Sequence, residues 1–430
     1  MQKFRFELAA CRTLSGIVFL LAVSGTGAPV HGTEGIALGR ALELARAGNP
    51  ELLAARQEME IARGRLVKAR YWNRFNPEIQ GGAAQRRFDA GGNDVQPFAS
   101  LSLEVEVAGQ RGKRIEEAER NLTRVEAEIA DFDRRVVAQV KEGFYRVLYL
   151  SRRLELFRET EELNRRLRDA SSERFRSGEV AKTEANLAVV RYSQSRKDTL
   201  SAARDHANAL RELERLLGLE PAATLRLAGD LTVAGVAVDR ESLLLAALDS
   251  RPDLRARDAE IERVDAETAL TKRLIVPNPT VSGLYDEEVE AVGSRDRIIG
   301  GAVSIPIPVF DRNQAELTAL AGTRAQAAYQ RDAAELAVKK EVRDAYRDYE
   351  AALESVRVFE ADAVELVAES FRFMETSYRE GKIDLLQLIV VQNDLVGARL
   401  SYLDSLWDYW LAYVALERAV GRPIDGGSDS

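Results

Sequence analysis

The residue types that perform covalent or metal chemistry are nearly missing from this sequence. It holds 2 His and 1 Cys in 430 residues. Cys/His zinc sites, cysteine nucleophiles and disulfide scaffolds are therefore excluded. His31 and His206 cannot together build a histidine-rich metal site. His206 stands mid-helix beside Asp205 and Asn208, where a surface histidine accounts for it better than a Ser/His/Asp set does. There is no phosphate loop and no metal-ligand spacing. No enzyme activity, catalytic residue, metal ligand or cofactor is expected. What remains is electrostatics. In Ser100-Leu101-Ser102-Leu103-Glu104-Val105-Glu106-Val107, Glu104 and Glu106 share the phase opposite Leu103, Val105 and Val107. Carboxylates so placed can draw cations. Neutralisation by Arg111, Lys113 or Arg114 is the alternative, and the sequence does not choose between them.

That alternation is the first clue to the elements. It recurs in Ser304-Ile305-Pro306-Ile307-Pro308-Val309, with prolines on the polar phase. Segments of about ten residues with this period are what a membrane β-barrel strand looks like. Strands are expected over 77–87, 96–107, 279–287 and 297–309, with turn-rich pieces at 88–94 and 289–294. Four strands cannot close a barrel, and an open edge is not tolerated in lipid. Three copies would supply twelve, so a homotrimer is the simplest closure. Tyr71, Trp72, Phe75 and Phe310 fall just outside the strands, where an aromatic girdle would sit; helix-end packing is the competing account.

The strands repeat because the chain repeats. A shift of 202 maps Asn49-Pro50-Glu51-Leu52 onto Arg251-Pro252-Asp253-Leu254, and Asn76-Pro77 onto Asn278-Pro279. A shift of 203 maps Phe175-Arg176-Ser177-Gly178 onto Tyr378-Arg379-Glu380-Gly381. Pro50 and Pro252 mark helix starts, at the first-turn position proline tolerates. The four stretches 112–175, 180–217, 315–378 and 383–420 contain none of the 11 prolines, and long helices are expected there. Ile115, Ala118, Leu122, Val125, Ile129, Phe132 and Val136 follow a heptad seam, and Val140 and Phe144 add a stutter. At 1.5 Å per residue the helix over 112–175 spans roughly 96 Å. Those over 180–217 and 50–73 span about 57 Å and about 36 Å. Two short helices stacked end to end thus match one long one, the arithmetic of a hollow helical cylinder capped by a barrel. The expected division is 33–218 for the first repeat, 219–251 for an equatorial connection carrying Pro221, Leu225, Leu227 and Leu231, 252–421 for the second repeat, and 422–430 for a tail.

The first residues concern the compartment. Lys3, Arg5 and Arg12 precede the apolar run 14–23, and small residues follow, so 1–32 reads as a secretory signal with cleavage between 24 and 33. Leu8-Ala9-Ala10-Cys11 resembles a lipobox but precedes the apolar run, and lipidation is not expected. The net charge of −8 argues against a nucleic-acid groove. A thiol-free exported chain suits a bacterial periplasm or outer membrane.

With these elements in place the chain resembles the TolC family of outer-membrane efflux channels. The most specific pieces are 303–314 and 106–114, where strands pass into helices, and they look most like the CzcC and CusC-type branch serving heavy-metal exporters of the resistance-nodulation-division class. The resemblance implies a mainly α fold with a β-barrel part, a trimeric 12-stranded barrel in outer-membrane lipid and a large periplasmic α-barrel. It also implies a periplasmic adaptor and an inner-membrane proton-driven pump as partners. The hairpin tips at Arg176, Gly178, Arg379 and Gly381 would face the adaptor and line a closable aperture. Where family members carry an acidic aperture residue this chain has Gln387, and its repeat equivalent is Glu184, so an Asp-based gate does not carry over. General drug or solute efflux, or type I secretion, is an alternative export role. A periplasmic coiled-coil adaptor is a further alternative, which would need one hairpin rather than two.

Overall fold

The computed structural model describes residues 35–87, 93–220, 225–233, 235, 239–289, 295–360 and 363–424. The leader and Cys11 lie outside the described residues, as do most of the two inter-strand turn pieces. The chain runs through one succession of elements twice. In the first half these are α1 (Leu38–Gly48), α2 (Pro50–Ala69), β1 (Glu78–Arg87), β2 (Asn93–Glu104), α3 (Gln110–Arg176) and α4 (Lys182–Leu217). In the second they are α5 (Arg240–Ser250), α6 (Pro252–Arg273), β3 (Thr280–Val289), β4 (Arg295–Ser304), α7 (Gln314–Glu360), α8 (Ala363–Arg379) and α9 (Leu385–Val420). The helix expected over 315–378 is thus described as α7 and α8, with 361 and 362 outside the described residues.

Proline sets two helix starts as expected. Pro50 and Pro252 each occupy the first turn, and Asn49 caps α2 by accepting the Leu52 amide at 2.9 Å. The two helices end at Ala69 and Arg273, a little short of expectation. Two helices were not foreseen, α1 and α5. They begin 202 residues apart, and α5 occupies part of the stretch read as a connection. Its start is capped by Asp239, which accepts the Ser242 amide.

The strands form one antiparallel sheet in the order β1-β2-β3-β4. Ile79 pairs with Leu101, Leu101 with Gly283, and Gly283 with Gly301. Strand side chains alternate between faces, so this register collects Ile79, Leu101, Leu103, Val281, Ile299 and Val303 on one face. Glu78, Gln80, Ser100, Ser102 and Ser282 gather on the other. The apolar face is bare: Ile79 is 80% and Ile299 83% exposed. Both strands leading to the long helices stop earlier than their alternation suggested, β2 at Glu104 and β4 at Ser304. A ladder needs a partner, and Glu78 and Thr280, where the partners of these ends begin, pair with Ser102 and Ser304.

α3 is 67 residues long, or about 100 Å. It packs on α2, α4, α6 and α9, while α7 packs on α5, α6 and α9. The expected end-to-end stacking is made by side chains. Asn49 Nδ2 donates to the Leu216 carbonyl at 2.8 Å, fixing the start of α2 to the end of α4. In the second half Arg251 donates to the Ala419 carbonyl at 3.0 Å, and α6 meets α9 there. α1 lies so close to the end of α4 that a Cβ on Gly218 would collide with the Gly48 carbonyl. The main core gathers where these ends meet, around Leu52, Val140, Phe144, Leu213, Val342 and Tyr409. Tyr145 stacks on Trp410 at 3.9 Å between centroids. A second cluster, with Leu167, Phe371, Leu388 and Ile389, lies towards the tips.

Candidate functional site: the strand-to-helix junctions and the hairpin tips

Each long helix begins with the same local device. Gly109 and Asn313 take left-handed backbone angles, φ 74° and 57°. The glutamine that follows turns back, so Gln110 Oε1 accepts the Ala108 amide and Gln314 Oε1 accepts the Arg312 amide, both at 2.7 Å. These contacts satisfy amides that a helix start leaves without partners nearby. The rest of each glutamine differs. Gln110 is fully buried, and its Nε2 donates to Asn278 Oδ1 at 3.0 Å and to the Val276 carbonyl at 3.3 Å. Gln314 is exposed and donates to its own Phe310 carbonyl at 2.9 Å. Neither glutamine's role follows from the composition of the junctions alone. The signal available was a left-handed residue type followed by Gln in each repeat.

Asn278 also donates to Glu104 Oε1 at 2.8 Å, and Asn73 donates to the Glu104 carbonyl at 2.6 Å. Glu104 therefore sits at the edge of the polar sheet face, half-buried and tied to the second repeat. Glu106 does not behave as a strand residue facing an open lumen. It lies beyond the end of β2, its side chain is only 5% exposed, and Arg114 pairs with it while Arg74 stands 3.8 Å away. Burying a carboxylate is costly unless a cation accompanies it, and the cations come from α3 and from the segment after α2. Of the three neutralising residues considered, Arg114 alone acts. Arg111 donates to the carbonyls of Arg70 and Tyr71, and Lys113 pairs with Glu116. Arg74 was not foreseen; it also lies over the Phe75 ring at 4.7 Å. Trp72 and Phe310 are 74% and 92% exposed, so helix-end packing within the chain does not account for them.

At the tips, both long hairpins turn through glycine. Gly178 and Gly381 have φ 79° and 73°, and a Cβ added to either would meet nothing within 4 Å, so the demand there is on the backbone and not on space. The amides of Glu179 and Lys382 reach back to the carbonyls of Arg174 and Ser377, closing the helices. Arg176 pairs with Glu173 and is exposed. Arg379 ends α8, and its side chain lies outside the described residues. Gln387 is drawn into a capping box with Asp384, which accepts its amide at 2.8 Å. The equivalent helix start at Ala181 has no capping side chain. Glu184 is left to accept the Tyr378 hydroxyl at 3.4 Å, on the other hairpin. Tyr378 is also 3.2 Å from Ser171 Oγ, and Gln392 donates to Asn164 at 3.2 Å. These contacts form a polar seam between the two hairpins near their tips.

Nothing here offers reaction chemistry. His206 is half-buried rather than superficial, and burial, then Arg158, hold its pKa below the usual histidine value. Among the described residues no group of three or more His, Cys, Asp or Glu could hold a metal, and no helix is long and apolar enough to cross a membrane. A cavity of about 610 Å³ beside α3 and α6 is lined by Arg65, Glu117, Arg124, Glu260 and Arg263 among others. Its charges answer one another, as in Arg263 with Glu260 at 2.8 Å.

A family profile described as outer membrane efflux protein matches residues 41–219 and again 243–422. The chain belongs to the outer membrane efflux protein family. It is 26% identical to the cobalt-zinc-cadmium resistance protein CzcC of Cupriavidus metallidurans, over 94% of this chain and 96% of that one. Its fold is similar to that of CusC, with a TM-score of 0.72, 17% identity and coverage of 90% of this chain and 92% of that one. The outer-membrane channel OprN is similar at a TM-score of 0.72 and 17% identity, covering 89% of each chain. The expected family is thus the family found. The chain is an outer-membrane efflux channel of the TolC type with a large periplasmic part, and its relatives are channels, not enzymes.

Proposed function

We propose that three copies of this chain form the exit duct of a tripartite heavy-metal exporter. β1 to β4 of each copy supply one third of a 12-stranded barrel in the outer membrane, and the helices form the periplasmic conduit. The observation that carries the metal reading is the near full-length similarity to a cobalt-zinc-cadmium resistance protein. The tips at Arg176, Gly178, Arg379 and Gly381 meet a periplasmic adaptor. A resistance-nodulation-division pump in the inner membrane supplies the energy, so the duct needs no cofactor. Glu184, through Tyr378, ties the two hairpins together where the conduit narrows. The division into a leader at 1–32, a first repeat at 33–218 and a tail at 422–430 belongs to this reading, with α5 counted in the second repeat as the counterpart of α1.

The test is deletion of the gene in its own host, followed by growth in graded cobalt, zinc and cadmium and in a panel of organic toxicants. Selective loss of metal tolerance, restored by the gene in trans, is the expected result. Loss of tolerance to organic compounds alone would overturn the metal substrate while leaving the channel in place.

A further inference from the structure

Neither Gly82 on β1 nor Gly300 on β4 takes a left-handed backbone angle, so other residues would suit the chain path there. Glycine inside a strand weakens it and marks a place of close approach. Here the approach is made by a side chain across the ladder. Gly82 pairs with Phe98, and a Cβ on Gly82 would stand 2.7 Å from Cε1 and Cζ of that ring. Gly300 pairs with Leu284, and a Cβ there would stand 3.3 Å from Cγ and 3.4 Å from Cδ1. These distances are shorter than a comfortable carbon contact. The other strand glycines, Gly81, Gly283 and Gly301, lie on the opposite face and have no side-chain atom so placed within 4 Å. The internal repeat relates the two close pairs. An offset of 202 carries Gly82 onto Leu284 and Phe98 onto Gly300. The paired site is thus the same in both hairpins, but the large residue and the glycine have exchanged strands. A change on one strand alone would leave a hairpin with two large side chains at this site, or with none.

We propose that Gly82 and Gly300 keep the bore of the barrel open, each serving as a berth on which an apolar side chain lies against the wall. This rests on the reading given above of the sheet as one third of a barrel. Even-numbered residues share one face throughout the register, so both pairs lie with Glu78, Gln80, Ser100 and Ser102. In a barrel with lipid against the opposite, apolar face, this one lines the bore. Phe98 pairs with Asp286 and Ser100 with Leu284, so Phe98 and Leu284 occupy successive rows and form one band. Standing upright in every copy, these side chains would make an apolar constriction, and such constrictions close to ions by dewetting. Lying flat, they leave the water column continuous. The glycines touch no solute. They are positioning residues that act through Phe98 and Leu284, and what they set is the size limit of the duct.

The helices leave the sheet at the end where Ser102 lies, and Asp296 lies towards the other end. A solute arriving from outside the cell passes Asp296, then the band, then Ser102. The experiment labels whole cells making the full-length chain with charged maleimides of graded size, the larger ones carrying polyethylene glycol. Cys11→Ser removes the one native thiol and is the common background. Ser102→Cys reports passage of the band, and Asp296→Cys reports the approach to it. Labelling is read per assembled trimer, so a loss of assembly does not register as narrowing. Gly82→Leu should lower labelling of Ser102→Cys by the larger reagents at least several-fold. It should leave the smallest reagent, and all labelling of Asp296→Cys, unchanged. Gly82→Leu with Phe98→Gly, which gives the first hairpin the arrangement of the second, should restore the parent size limit. Gly82→Ala is the milder variant, since its Cβ alone displaces the ring. An unchanged size limit in Gly82→Leu or Gly82→Ala overturns the proposal and reduces the glycines to packing. A narrowing that Phe98→Gly does not reverse overturns it as well. A parent chain in which even the smallest charged reagent fails to reach Ser102→Cys overturns instead the assignment of this face to the bore.

Discussion

Glu104 and Glu106 are two residues apart and have different physics. Glu106 is paired with Arg114 and shut from water, so it can lend little field to a passing ion. Glu104 is half-buried and accepts from the neutral amide of Asn278, where Glu106 is met by a guanidinium. Glu104→Gln should therefore move the reversal potential of the channel under a salt gradient towards zero, and Glu106→Gln should not. The shift should fade between 0.1 M and 1 M salt, where the Debye length falls from about 10 Å to about 3 Å. Glu106→Gln should instead reduce the yield of assembled protein, because Arg114 is then left without its anion. A second residue pair does one job by two means. Asn49 and Arg251 both hold the carbonyl end of an arriving helix, but Arg251 also pairs with Asp253 and Glu341, each at 2.6 Å. Arg251→Met should cost about 3 kcal/mol, mainly by stranding Asp253, since Glu341 is more than half exposed and solvated. Arg251→Asn should cost less, because Asn49 shows that an amide can make the carbonyl contact. Burial alone would raise the pKa of Asp253, but Arg251 and then Arg134 hold it below the usual value. Its stabilising contribution is present above the unfolded pKa of about 3.9 and is lost as pH falls through the folded value. Thermal unfolding from pH 7 to pH 3 should show Arg251→Met losing part of that acid-end dependence.

Among the elements, the hairpin tips carry a sharper prediction than their bland sequence suggests. Gly178→Val or Gly381→Val forces a branched residue into left-handed angles at a cost of about 1–2 kcal/mol, with no steric clash to add. That is small beside helices of 67 and 36 residues. Metal tolerance should fall further than the quantity of assembled protein in the membrane; equal loss of both would make these glycines helix terminators only. The long helices were legible because proline marks where α2 and α6 start and is missing from 112–175, 180–217, 315–378 and 383–420. The hairpins were legible because period-two alternation survives at 100–107 and 304–309 and the internal repeat extends it to their partners. α1 and α5 were not legible, being 11 residues each, with no proline at the start and no heptad run. Strand ends were overread because alternation outlasts pairing. The contacts of Gln110 with Asn278 and of Glu106 with Arg74 were beyond reach, since they depend on how separate segments meet at one junction.

For the molecule as a whole, the sheet is the part that a single chain leaves unfinished. Four strands expose Ile79, Leu101, Val281, Ile299 and Val303 to water on one face, while the opposite face mixes Glu78, Gln80, Ser100, Ser102 and Ser282 with Phe98, Leu284 and Ile298. Mass measurement in detergent should return three chains, and a stable monomer with a complete barrel would refute closure by copies. Purification without detergent should fail for the same reason. Composition alone spoke against catalysis, since one thiol and two imidazoles leave little to work with. The substrate was less legible, because a conduit passes what its pump delivers and its walls need little specificity.

The three tryptophans make the chain its own optical gauge. Trp407 and Trp410 are partly buried among Tyr145, Tyr149 and Tyr409 far along the helices, whereas Trp72 stands 74% exposed beside the sheet. In vesicles of lipids brominated along their acyl chains, heavy-atom quenching should dim only the fraction of emission that belongs to Trp72. Trp72→Phe should abolish that quenching and leave the remaining spectrum unchanged. The depth of bromine that quenches best would then read out how far into the bilayer the ends of α2 and β1 descend. Uniform quenching at no depth would place this ring in water and remove it from any girdle.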